Sequence, residues 1–334
     1  MFEKAFFKFM KILPASSENI KKAAEFIKNG KLVAFPTETV YGLGADGLNP
    51  IAVSKIFEAK NRPTFNPLIL HIADKSDLEK LAETGNQLIY KLIDKFWPGP
   101  LTLVLPKKDV VPEIVTAGNP TVAVRMPDHP VALELIKLSG RPIAAPSANA
   151  FGELSPTTAQ HVVKQLGKKV DIILDGGSCK VGVESTIIGF VNEEPVLLRP
   201  GGIPLEQIES VTGQLKKHYT ESEDSNPLSP GRLPFHYSPN IPIRFFDDKM
   251  ETETRTKRVG ALFFKEPGVK LNFAKILFLS KNGDTKEAAA NLFSALHELE
   301  TSGLDLIYVE PVPETGLGIA IMDRLKKAVK KYEK

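Results

Sequence analysis

The sequence predicts an α/β protein built in two units. Short β-prone apolar runs alternate with amphipathic helical stretches through the first two hundred residues. Residues 214–240 then turn polar, carry Pro227, Pro230, Pro234 and Pro239 and lose periodicity, which marks a linker with extended backbone. Beyond it strands and helices alternate again, the pattern of a small parallel sheet. A chain of 334 residues is also long for one ordinary domain. The expected division is 11–213, a linker over 214–240, and 241–334.

The elements follow in order. Ser17 caps a helix through Asn29, with Ile20, Ala23, Ala24 and Ile27 on one face and Gly30 as its stop. Residues 31–35 form a strand. Asn49 and Pro50 start a second helix to about Ala59, a cap followed by a first-turn proline. A strand over 68–72 and helices over 76–83 and 87–96 come next. Trp97-Pro98-Gly99-Pro100 breaks the chain before a strand over 101–105. Strands over 121–125, 142–145 and 170–174 enclose helices over 129–138 and 157–166. Residues 185–191 and 195–198 read as an antiparallel pair, followed by a short helix over 205–211. In the second unit strands over 243–246, 259–264, 276–279 and 306–309 accompany helices over 286–300 and 318–329.

Composition sets the class. Apolar residues make up 42% and charged residues 25%, as in soluble globular proteins. A net charge of +3 is too small for bulk charge to drive nucleic-acid binding and fits a local pocket for an anion. One cysteine, Cys179, excludes an internal disulfide framework and suits a reducing cytosol, so the expected location is cytoplasmic. No apolar run nears the ~18 residues of a membrane span. The opening segment is broken by charges and does not read as a signal peptide; Met1 and Met10 both stand as candidate starts.

The most informative stretch is 36–44, Pro-Thr-Glu-Thr-Val-Tyr-Gly-Leu-Gly, directly after a buried strand. It delivers hydroxyls and two glycines to one end of a sheet, where α/β proteins keep their ligands. Gly42 and Gly44 permit positive φ or close backbone approach. The plain alternative is a strand-to-turn corner. Lys60-Asn61-Arg62 places two cations on a loop, a point charge and a fork suited to a polyanion. The plain alternative there is a solvated helix C-terminus, which favours cations anyway. Pro146-Ser147-Ala148-Asn149 combines small residues with hydrogen-bonding side chains at a strand end, or is a turn built of turn formers. Glu184-Ser185-Thr186 is similar, and Arg125 and Arg199 each end a β-run. Together these segments gather positive charge and hydroxyls as a nucleotide site would.

Other chemistries are disfavoured. The chain has no G-x-x-x-x-G-K-[ST] loop and no G-x-S-x-G elbow, and its second unit offers no G-x-G-x-x-G after a strand. Its six histidines lack metal-ligand spacing, so no zinc site is indicated.

Residues 36–44, Lys60-x-Arg62, Trp97 to Thr102, Val124-Arg125-Met126-Pro127, Pro146 to Asn149 and Glu184-Ser185-Thr186 together resemble the YrdC-type domain of L-threonylcarbamoyladenylate synthases. Ser229-Pro230-Gly231-Arg232 with His236-Tyr237 resembles the linker of the two-domain, Sua-type long form. The resemblance implies a twisted open mixed sheet with helices around a concave basic cavity (11–213), an active-site lid (214–240) and a smaller Rossmann-like α/β domain (241–334). It implies synthesis of L-threonylcarbamoyl-AMP and pyrophosphate from L-threonine, bicarbonate and ATP, with Mg²⁺ carried by the ATP phosphates and no metal ligand from the protein. The product would pass to a separate tRNA threonylcarbamoyl transferase, with weak RNA contact and no membrane.

The same resemblance implies site residues. Lys60 and Arg62 would be catalytic and hold the triphosphate; Thr121, Ser147, Asn149, Ser155, Arg199 and Tyr237 would contact the nucleotide. Thr37, His71, Arg125, Ser185 and the backbone of Ala145 would form the threonine pocket. Lys60, as a solvated loop cation, would matter to turnover but little to the fold. The alternatives are a module that binds double-stranded RNA without nucleotide turnover, an adenylating domain for another carbamoyl donor of the hydrogenase-maturation kind, and a nucleotide sensor.

Overall fold

The computed structural model describes residues 12–217, 229–231, 236–267 and 272–333. Both candidate starts, and Pro227, Arg232 and Pro234 of the linker, lie outside the described residues. Among those described, the first unit is one mixed sheet of β1 (Ile12–Pro14), β2 (Val33–Phe35), β3 (Gly42–Asp46), β4 (Ile69–His71), β5 (Leu101–Pro106), β6 (Thr121–Arg125), β7 (Ile143–Ala144), β8 (Ile172–Asp175), β9 (Thr186–Val191), β10 (Glu194–Arg199) and β11 (Lys216–Lys217). Their spatial order is β1-β8-β2-β3-β7-β4-β6-β5-β9-β10-β11. Parallel pairs such as β4–β6 and β5–β9 are interleaved with antiparallel ones such as β5–β6 and β9–β10.

Helices cover both faces. On one side α1 (Ser17–Lys28) and a helix over Pro130–Ser139 pack on Val33, Phe35, Ile143 and Ile172. On the other, α2 (Pro50–Lys60) and a helix over Gln87–Phe96 pack on Leu43, Leu70, Leu103 and Val124. The cap of α1 is Ser16, whose hydroxyl accepts from the Asn19 amide, one residue before the expected Ser17. Asn49 caps α2 by accepting from the Ile51 and Ala52 amides, with Pro50 following as expected.

Of the two roles open to Gly42 and Gly44, positive φ is not the one taken: they belong to β3, antiparallel to β2, with Gly44 opposite Val33 and Gly42 opposite Phe35. Close approach is what they supply. A Cβ on Gly44 would lie 2.7 Å from the Phe35 ring and 2.8 Å from Ile143 Cγ2. Gly44→Ala is therefore expected to overpack the centre of the sheet and destabilise by about 1–3 kcal/mol, read as a lowered melting temperature; an unchanged midpoint would refute it.

The second unit has four strands, β12 (Ile243–Phe245), β13 (Val259–Lys265), β14 (Lys275–Ser280) and β15 (Leu306–Val309), in the order β12-β15-β13-β14 with every pairing parallel. Helices over Thr285–Glu300 and Gly318–Lys330 pack on it. Two short helices, Glu113–Thr116 and Met250–Thr256, were not expected, being too brief to show a 3.6-residue period. Val40, Leu154, Val183 and Tyr237 are packed into the apolar core of this unit, so the two units share buried surface beside the loop after β2. No described helix is long and apolar enough to cross a membrane.

The contact between units contains a histidine pair. His161 and His297 stack with centroids 3.9 Å apart, and His297 Nε2 donates to the Ser155 carbonyl at 3.2 Å. Burial, with each ring's neighbouring cations, pushes His161 to about 3 and His297 to about 4, from 6.5. Depressed histidines bind fewer protons folded than unfolded, so stability is full above pH 6.5 and is lost as pH falls toward 4. Glu300, 4.0 Å from His297 Nδ1, opposes this only partly. The melting temperature should fall between pH 6.5 and 4, and His297→Gln should flatten that slope. An equal slope in the variant would rule out this origin.

Candidate active site

The strand ends of the first unit meet at a cavity closed by Pro230, Gly231, His236 and Tyr237. With these seated, the space left for water-sized molecules is about 50 Å³. Ligand clefts run from ~300 to ~1,000 Å³, so the space left beneath these residues is far smaller than a nucleotide cleft.

Three arginines line the cavity, each aimed by its element. Asn61 ends α2 in the left-handed conformation, φ 51°, and turns the chain so that Arg62 points inward while Lys60 stays beneath. Arg62 donates through Nε to Asn66 O and through Nη2 to Pro67 O. Arg199 follows a register shift between Leu197 and Arg199, the kind of irregularity that re-aims a side chain at a sheet margin. Its Nε and Nη2 donate to Ser185 O at 3.1 and 2.9 Å, and Nη1 to Pro230 O at 3.3 Å. Arg125, the last residue of β6, donates from Nη2 to Thr39 Oγ1 at 3.0 Å. The same nitrogen lies 2.7 Å from Glu38 Oε1, off the hydrogen-bond direction, so the contact is ionic and both Glu38 oxygens lack a donor.

Lys60 is not a solvated loop cation. It is 1% exposed, and its ammonium donates to Ser147 O at 2.6 Å, to Asn149 O and to Asn149 Oδ1. The helix ends against the 146–149 turn, so its last side chain has only buried carbonyls to reach. Burial and then the neighbouring Arg62 charge hold Lys60 well below its ordinary pKa, and burial lowers Arg62 to about 9. Arg199 is lowered for the same first reason. Among the described residues none of these three cations has a carboxylate within 4.0 Å. Buried cations without counter-ions are electrostatically poised for an anion.

The remaining expected residues fall into two sets. Thr37, His71, Ala145, Ser147, Ser185 and Tyr237 line the cavity with the three arginines; Lys60, Asn149 and Ser155 do not line it but hydrogen-bond the lining residues Ser147 or Glu184, and Thr121 is not among the lining residues. Thr37 shapes the loop after β2, donating to Val40 O at 2.7 Å and accepting from the Thr39 and Val40 amides. Ser185 shares a 2.7 Å hydrogen bond with Thr102 and accepts from Arg199 Nη2. Burial and the Arg125 charge lower His71 to about 3, so it is neutral, with Nδ1 unpartnered. Ser155 donates to Glu184 Oε1, and the Thr121 hydroxyl is buried without a partner. Tyr237 is 2% exposed with φ 63°, and burial pushes its phenol to about 12.

Sequence reasoning did not single out Glu38 and Glu184 as charge partners, nor Thr39 and His236 as lining. Glu38 and Thr39 sat inside the 36–44 motif, so their proximity to Arg125 required the β2-β3-β7-β4-β6 order that brings the loop after β2 to the end of β6. Glu184 also sat inside a singled-out motif, but its partner Arg324, 140 residues away, carried no signal. No group of three or more His, Cys, Asp or Glu among the described residues could hold a metal. Among the described residues the one lining carboxylate, Glu184, is taken up by Arg324 and Ser155, so this donor set does not suit a protein-held cation.

Comparisons with known proteins agree with this geometry. Residues 25–201 match the family model described as "Telomere recombination", and residues 203–329 match the threonylcarbamoyl-AMP synthase C-terminal domain. The threonylcarbamoyl-AMP synthase of Pyrococcus abyssi is 49% identical, over 92% of this chain and 93% of its own. That of Bacillus subtilis is 44% identical, over 95% and 94%. The crystal structure of P. abyssi Sua5 complexed with L-threonine superposes with a TM-score of 0.87 at 46% identity, covering 94% of this chain and 95% of that one.

Proposed function

The chain belongs to the Sua5/YrdC-like threonylcarbamoyl-AMP synthase family, and from that premise we propose how its cavity makes threonylcarbamoyl-AMP and pyrophosphate from L-threonine, bicarbonate and ATP, for N6-threonylcarbamoyladenosine formation in tRNA. The observation that carries the reading is the cluster of buried, unpaired cations. An oxygen of the threonine N-carboxylate attacks the α-phosphorus and the bond to pyrophosphate breaks. Nucleophile and electrophile are both anionic, so the site must concentrate positive charge and hold the two in line.

Arg62 and Lys60 serve the triphosphate. Arg62 already lines the cavity; Lys60 fixes the 147–149 turn and is released toward phosphate if its carbonyl contacts yield. Arg199, Ser147 and Tyr237 flank the nucleotide, with Asn149, Ser155 and Thr121 in support. Arg125 takes the threonine carboxylate, bidentate recognition being what a guanidinium does best. Neutral His71, Thr37, Ser185 and the Ala145 backbone complete that pocket. A carbamate is already anionic and needs no general base. Magnesium enters as part of the substrate, Mg-ATP.

Closure by Pro230, Gly231, His236 and Tyr237 keeps water from the labile carbamate. The product would pass to a tRNA threonylcarbamoyl transferase. The test is pyrophosphate release from Mg-ATP with and without L-threonine and bicarbonate, other amino acids serving as controls. Release that ignores threonine would overturn the reading.

A further inference from the structure

The last helix, Gly318–Lys330, belongs to the second unit, and its apolar side, Ile321, Leu325 and Ala328, packs in that unit's core. Yet Asp323, Arg324 and Lys327 reach back to the cavity. Lys327 Nζ donates to Gly231 O at 2.7 Å and lies 2.8 Å from Asp323 Oδ1. Gly231, with φ +85°, is seated so closely that a Cβ there would lie 2.7 Å from the Tyr237 hydroxyl and 3.0 Å from Arg199 Cδ. Arg324 is 1% exposed; Nε donates to Glu184 Oε2 at 2.9 Å and Nη1 to Pro200 O at 2.8 Å, the carbonyl next to Arg199. Its guanidinium carbon lies 5.0 Å from the Tyr237 ring centroid. Asp323 Oδ2, 2.8 Å from Arg324 Nη1, balances part of this charge.

These contacts are all on one side. They touch Gly231, Tyr237, Glu184 (and through it Ser155) and the chain beside Arg199; none touches Arg125 or His71. We propose that Lys327 and Arg324 are positioning residues, a two-point latch by which the second unit holds the covering segment and the nucleotide side of the cavity in working geometry. This rests on the synthase reading above for which side is which. The physical reason is rigidity. Residues 229–231 have little apolar surface of their own, and a charge-assisted hydrogen bond from a helix fixes a carbonyl that would otherwise fray.

The test uses the full chain with Lys327→Met, which keeps the stem and removes the donor, Lys327→Arg as the conservative replacement, and Arg324→Lys as an independent second point. ATP affinity is titrated without threonine, and KM for Mg-ATP and for threonine is measured by pyrophosphate release. Lys327→Met is expected to weaken ATP binding and raise KM for ATP about tenfold, the order of one lost charged hydrogen bond, with threonine KM changed less than about twofold. Lys327→Arg should restore most of the loss, and Arg324→Lys should act in the same direction as Lys327→Met. Unchanged ATP affinity, or equal loss for both substrates in step with a lowered melting temperature, overturns the latch. If the wild-type chain releases no pyrophosphate, the synthase reading fails, while the ATP titration still decides whether the latch exists.

Discussion

Lys60→Ala should lower turnover by at least about 10²–10³-fold, the usual loss when one preorganised donor is taken from a charge-stabilising site, and should also lower the melting temperature. The second effect follows from burial. Removing the ammonium leaves the Ser147 and Asn149 carbonyls short of a donor at a buried site, while the Asn149 side-chain oxygen keeps the Ser147 hydroxyl as its donor. Unsatisfied buried acceptors cost about 1–3 kcal/mol each, so a loss of a few kcal/mol is expected. Lys60→Met separates the two contributions to the fold: it refills the volume but not the hydrogen bonds, so it should recover part of the stability and none of the activity. Lys60→Arg keeps the charge but cannot place a planar fork on three carbonyls converging on one point. Turnover that survives Lys60→Ala would remove this residue from the phosphate site; a melting temperature equal to wild type would mean that water replaces its donors.

The error about Lys60 shows where sequence stops being informative. That α2 ends near residue 60 was legible, because an Asn-Pro start and an apolar stripe fix a helix locally. Whether its terminal lysine meets water or protein depends on the 146–149 turn, nearly ninety residues away. The same holds for β3. Its composition, Gly-Leu-Gly-Ala-Asp, has little strand propensity. It is a strand because Phe35 needs a partner strand without side chains to lie against, a demand made by the sheet and not by the segment. That the second sheet is parallel was legible from its strands and helices; its order, β12-β15-β13-β14, was not read from the sequence. The convergence of Arg62, Arg125, Ser147 and Arg199 on one cavity was legible only as strand-end chemistry, since each residue taken singly had an ordinary surface explanation. The Arg324–Glu184 pair was not legible at all: Arg324 reads as one more cation on a Lys-rich helix, and only tertiary packing makes it the most buried charge of that helix.

Arg125→Ala is expected to raise the apparent threonine requirement about a hundredfold or more while moving the ATP requirement only a few-fold. Arg125 is 4% exposed and lies among Thr39, Gly99 and Glu38, with no hydrogen bond to Arg199 or Tyr237. Among the described residues the hydrogen bonds of Arg125 come from Nε and Nη2, which leaves Nη1 of the fork for an incoming carboxylate. Truncation has two consequences that must be told apart. Substrate loses a buried ionic partner, and Glu38, already without a hydrogen-bond donor, loses its only close positive charge among the described residues. Breaking a buried pair in this way costs about 3–5 kcal/mol of stability, so activity must be measured well below the unfolding range. Arg125→Lys resolves the ambiguity. It preserves a charge for Glu38 and hence most of the stability, but replaces the planar fork by a point charge, so its threonine requirement should still rise, by less than in the alanine variant. A variant in which threonine and ATP requirements rise together would place Arg125 in the framework of the cavity instead of on the amino acid.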